Sequence, residues 1–113
     1  MRVLSKGELN ILLASVKEDI LDKYSEEISQ IILFGSYAKD KAKDDSDIDI
    51  LIVFNDKLPT TSDQCFGYDI YNKYLNINKE IHFVFEKEEF YKIGCEEYYR
   101  DVPTYGKIIW NKT

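Results

Sequence analysis

The chain has 113 residues, enough for one domain with a modest core and too few for two catalytic domains, so residues 1–113 are expected to form a single unit. Fifteen Lys and Arg stand against 21 Asp and Glu, a net charge of −6 that repels phosphate backbones and disfavours direct nucleic-acid binding. The longest uncharged stretch ends at Lys39 and falls far short of the ~20 residues that cross a bilayer; without a signal-peptide pattern, and with the two cysteines Cys65 and Cys95 lacking metal-ligand spacing, a soluble cytoplasmic protein with reduced thiols and no membrane contact is expected.

Ser5-Lys6-Gly7-Glu8 has the form of a capping box, and Leu9, Leu12, Leu13, Val16, Ile20, Tyr24 and Ile28 recur at helical spacing, predicting a helix over about 6–27. Gln30 to Gly35 is short, apolar and rich in β-branched residues, which suits a strand buried on both faces. A charged loop over Lys39 to Ser46 leads into a second strand, Asp47 to Phe54, closed by the turn residues Asn55 to Pro59. Both strands read as central in a sheet. Thr61 to Gln64 suggests another capping box and a helix over about 62–75. Glu80 to Phe85 alternates as a strand, Lys87 to Tyr99 suits a helix, and Gly106 to Trp110 closes as a short strand. The order αββαβαβ indicates an α/β (α+β) domain: a mixed central sheet of about four strands with flanking helices.

Chemistry concentrates around the first two strands. Side chains alternate along a strand, so Asp47 and Asp49 share one face beside an otherwise apolar run. Adjacent carboxylates repel, and a hard divalent ion such as Mg²⁺, shared with substrate phosphates, is the usual compensation. Gly35 ends the preceding strand and lets the backbone turn sharply, so that Ser36 and the amides after it open a short helix aimed at an anion. The glycine spacing and Lys-Ser/Thr ending of a Walker loop are absent, as is a dinucleotide fingerprint.

Gly35-Ser36, ten intervening residues and Asp47-Ile48-Asp49 resemble the signature of the DNA polymerase β nucleotidyltransferase superfamily, in its minimal nucleotidyltransferase (MNT) branch. The tail Gly106 to Trp110 and residues Ala38, Lys39 and Ser46 also look like family positions. The resemblance implies the nucleotidyltransferase fold, with Ser36 and the amide after Gly35 holding the β and γ phosphates of an NTP, most simply ATP. It further implies that Asp47 and Asp49 bind two Mg²⁺ ions and that a third carboxylate lies on the next central strand. Glu80 is the candidate for that metal-binding and catalytic role; a register one residue later places Ile81 there instead and leaves the third carboxylate missing. Asp40 stands where many relatives have Gly. His82, the only histidine, reads as a packed or solvent-facing strand residue, Lys39 as a surface lysine, and the later tyrosines as cover for a core or a subunit interface, which leaves homo-oligomerisation open.

Relatives of this kind commonly pair with a helical HEPN protein, often a ribonuclease toxin, and silence it by binding or by adenylylating a tyrosine. The resemblance therefore implies NMP transfer, AMP from ATP, to a partner hydroxyl with release of pyrophosphate, and an antitoxin role. A module that occludes its partner without turnover is the alternative. Small-molecule transfer, as in aminoglycoside nucleotidyltransferases, needs a substrate domain that dimerisation would have to supply.

Overall fold

The computed structural model describes residues 3–24, 26–58, 80–89 and 106–112. They include helix α1 (Lys6–Tyr24) and four strands, β1 (Ile28–Phe34), β2 (Ile48–Phe54), β3 (Ile81–Lys87) and β4 (Lys107–Asn111). The segments expected as helices over 62–75 and, beyond Glu89, toward Tyr99 lie outside the described residues, as do both cysteines.

Helix α1 begins as its sequence requires. Glu8 N–H donates to Ser5 Oγ (3.1 Å) and Ser5 N–H donates to Glu8 Oε1 (3.0 Å), a reciprocal cap that satisfies two otherwise orphaned donors. The helix buries Leu9, Leu12, Val16, Ile20 and Tyr24. It stops at Tyr24, three residues before the expected end, because Glu27 N–H closes a turn onto the Tyr24 carbonyl (2.7 Å) and Ile28 already belongs to β1. Asn55 anchors this turn, donating from its backbone N–H to Glu27 O (2.9 Å) and from Nδ2 to Glu26 O (3.2 Å).

The strands form a mixed sheet in the order β3-β2-β1-β4, with β1 and β2 central as expected. β1 runs antiparallel to β2 and β4, whereas β2 and β3 are parallel. β3 extends through Lys87, two residues past the expected strand end and one into the segment expected as helix, because Glu86 and Lys87 pair with Val53 and Phe54; Glu88 and Glu89, which follow, are helical. Alternation divides the sheet into two faces. Ile31, Leu33, Ile48, Ile50, Ile52, Phe54 and Ile81 pack with α1, while Ile32, Phe34, Leu51 and Val53 form a second cluster on the opposite face. Tyr24, Phe54 and Phe85 meet edge to face with centroids 5.3–6.4 Å apart, closing the end of the sheet where β2 and β3 finish.

Candidate active site

The opposite end of the sheet gathers the end of β1 and the starts of β2 and β3. Antiparallel pairing sets Phe34 against Asp49, so Gly35, the next residue, lies beside the Asp49 carboxylate. Parallel pairing sets Ile48 against Ile81 and Asp49 against His82. Residues of matching parity therefore share a face, and Asp47, Asp49, Glu80 and His82 stand together on the face away from α1.

Gly35 is required twice over. Its φ of +76° is a conformation that side-chain-bearing residues rarely adopt. A Cβ there would overlap Asp49 Oδ2 and lie 3.1 Å from its Cγ. The chain then tightens through a run of turns: Ala38 and Lys39 N–H donate to Gly35 O (3.1 and 3.2 Å), and Lys41 N–H donates to Ser36 O (2.9 Å). This replaces the short helix expected after Ser36. Asp40, at φ +59°, takes the left-handed conformation that ends helical winding, which gives a physical reason why glycine suits this position.

Asp47 and Asp49 lie on one face as their spacing predicts, with side chains 39% and 23% exposed. Burial raises the Asp49 carboxyl above the ordinary carboxylate range; His82 opposes that shift and the like charge of Asp47 adds to it. Glu80 precedes β3, and its carbonyl accepts the Ile48 N–H (3.0 Å), which starts the parallel ladder. Its exposed carboxylate reaches His82 Nε2 at 2.9 Å. The residue facing Asp49 across the ladder is thus His82, not Glu80 or Ile81.

His82, expected as a packed or solvent-facing strand residue, instead stands between the carboxylates. Its Nε2 lies 3.7 Å from Asp47 Oδ2 and its Nδ1 3.7 Å from Asp49 Oδ1. The Glu80 hydrogen bond raises its pKa above the usual 6.5; burial works against that, and the Asp47, Asp49 and Glu80 charges reinforce it. Ligand atoms of Asp47, Glu80 and His82 all lie within 4.8 Å of one another. Carboxylate oxygens with an imidazole fit a divalent cation. The signal in the sequence was the two-residue spacing Glu80-Ile81-His82, which places both polar side chains on one face of a strand.

The sequence and the fold have counterparts among known proteins. The nucleotidyltransferase domain family profile matches residues 13–109. The protein adenylyltransferase MntA of Thermococcus cleftensis is 34% identical over 56 residues, covering 50% of this chain and 54% of the relative, so the chain spans about half the length of that protein. A candidate protein adenylyltransferase of Methanocaldococcus jannaschii is 34% identical over 90 residues, covering 78% of this chain and 84% of the relative. In fold, the chain is similar to a crystallised toxin-antitoxin with AMP-PNP, at TM-score 0.66 and 20% identity over 89% of this chain and 74% of that one. It is also similar to a complex of tri-AMPylated Shewanella oneidensis HEPN toxin with MNT antitoxin, at TM-score 0.59 and 18% identity over 90% of this chain and 71% of that one. The chain belongs to the nucleotidyltransferase domain family.

Proposed function

We propose that residues 1–113 act as a minimal nucleotidyltransferase domain that moves AMP from ATP to a hydroxyl of a HEPN-type partner protein, as the antitoxin of a toxin-antitoxin pair. The observation that carries this reading is the Phe34–Asp49 pair, which holds the Gly35 turn and the Asp47/Asp49 carboxylates at one edge of the sheet. The names of the relatives support the chemistry, and the AMPylated HEPN toxin bound to an MNT antitoxin supports the partner.

In this reading Ser36 and the backbone after Gly35 receive the β and γ phosphates. The acceptor oxygen bonds the α-phosphorus, the bond to the bridging oxygen breaks, and pyrophosphate leaves. Glu80, with a side chain 63% exposed, accepts the proton of the acceptor hydroxyl. Two Mg²⁺ ions, held by Asp47 and Asp49 with Glu80 completing one site, would neutralise the triphosphate and acidify the attacking hydroxyl. The net charge of −6 argues for a protein acceptor over a polynucleotide, and the use of ATP supports a cytoplasmic setting for the reaction.

Incubation with labelled ATP and a HEPN-type partner tests this reading: label should pass to the partner, and Asp47→Asn should abolish transfer. A second reading is favoured by one observation, that a histidine and not a carboxylate faces Asp49. If the chain only occludes its partner, Asp47→Asn leaves neutralisation intact and no label moves with the wild type.

A further inference from the structure

We propose that His82 is itself a metal ligand, and that Asp47, Glu80 and His82 form a mixed oxygen and nitrogen site that prefers a first-row transition ion such as Mn²⁺ or Co²⁺ to Mg²⁺. The inference rests on reading this edge of the sheet as a metal-dependent transfer site, and it changes which ion that site selects. Three observations carry it. The parallel ladder places His82 directly across from Asp49, on the face that carries the carboxylates. The imidazole stands between them, with one nitrogen 3.7 Å from Asp47 and the other 3.7 Å from Asp49. Its hydrogen-bond partner at 2.9 Å is Glu80, a member of the same cluster.

The spacing is compatible with coordination. Donors on opposite sides of one ion with bonds of about 2.1–2.2 Å lie about 4.3 Å apart. The candidate ligand atoms of Asp47, Glu80 and His82 lie within 4.8 Å of one another, so closing around an ion asks each side chain to move by a few tenths of an ångström. The imidazole is 49% exposed, which leaves it accessible to an ion. Mg²⁺ demands oxygen ligands in near-octahedral array and sheds water reluctantly, whereas imidazole binds transition ions well. A nitrogen ligand therefore tilts selection away from Mg²⁺.

His82 is the only histidine in the chain, so a histidine nitrogen on a bound ion has one source. The decisive measurement is electron spin echo envelope modulation on Mn²⁺-loaded protein without a histidine tag, prepared with natural and with nitrogen-15 histidine. The expected result is an imidazole nitrogen coupling that changes with the isotope. In competition binding, His82→Asp should lower the preference for Mn²⁺ over Mg²⁺ by at least about tenfold, since even partners behind a ligand affect metal affinity by about 10–100-fold. If Mn²⁺ binds, and Asp47→Asn abolishes that binding, but no isotope-sensitive coupling is seen, His82 is not a ligand and the transfer reading survives. If Mn²⁺ does not bind even with ATP present, both the ligand assignment and the metal-dependent reading are overturned. The wild-type spectrum decides the matter even if His82→Asp fails to fold.

Discussion

Asp49 is held in a position that costs stability. Burial and the neighbouring Asp47 charge raise its carboxyl above the ordinary range, with His82 pulling the other way. A raised folded value means that the folded chain binds the proton more tightly than the unfolded one. The contribution of Asp49 is then most favourable at low pH and declines as pH rises through its folded value. Metal-free Asp49→Asn should therefore melt a few degrees higher than wild type at neutral pH, with the gap narrowing toward acid; calorimetry across pH checks it. Gly35→Ala should do the reverse, since its Cβ overlaps the Asp49 carboxylate and its φ is positive. A left-handed alanine costs about 1–2 kcal/mol, and the displaced carboxylate should remove transfer activity as well. At Asp40, also left-handed, Asp40→Gly should be tolerated, while Asp40→Val should lose about 1–3 kcal/mol in chemical denaturation.

The elements owe their placement to short local signals backed by packing. Losing the Ser5 hydroxyl removes one arm of the reciprocal cap, so Ser5→Ala should cost about 1 kcal/mol and lower the melting temperature by several degrees. The aromatic contact of Tyr24, Phe54 and Phe85 ties α1 to β2 and β3 at the end of the sheet away from Gly35. Phe54 is completely buried. Phe54→Ala should therefore destabilise by about 3–5 kcal/mol in urea unfolding, a larger effect than any single change in the turns after Gly35.

At the scale of the whole molecule, the site depends on strand directions. Because β1 is antiparallel to β2 and β2 is parallel to β3, the end of one strand and the starts of two others meet at one edge. The hydrophobic residues hold that geometry: β2 is buried at six of its seven positions, and the exception is Asp49. Excess negative charge accompanies it over the whole chain. Fluorescence anisotropy with single-stranded RNA at physiological salt should accordingly show no binding; tight binding would contradict the choice of a protein acceptor.

The local features were legible in the amino-acid order: the capped helix, two central strands, a glycine turn after Phe34 and two aspartates on one face. Each follows from spacing within a single segment, where the 3.6- and 2-residue periods set orientation. Strand and helix ends shifted by up to three residues, because termini depend on which backbone groups find partners across the sheet; Glu86 and Lys87 became strand through Val53 and Phe54. The residue that faces Asp49 across the sheet was set by the folded chain. Whether Glu80, Ile81 or His82 faces it is a matter of register between segments far apart in sequence, fixed by the burial of Ile81, Phe83 and Phe85 against the α1 side. That packing leaves His82 among the carboxylates, where the sequence alone offered an isolated histidine.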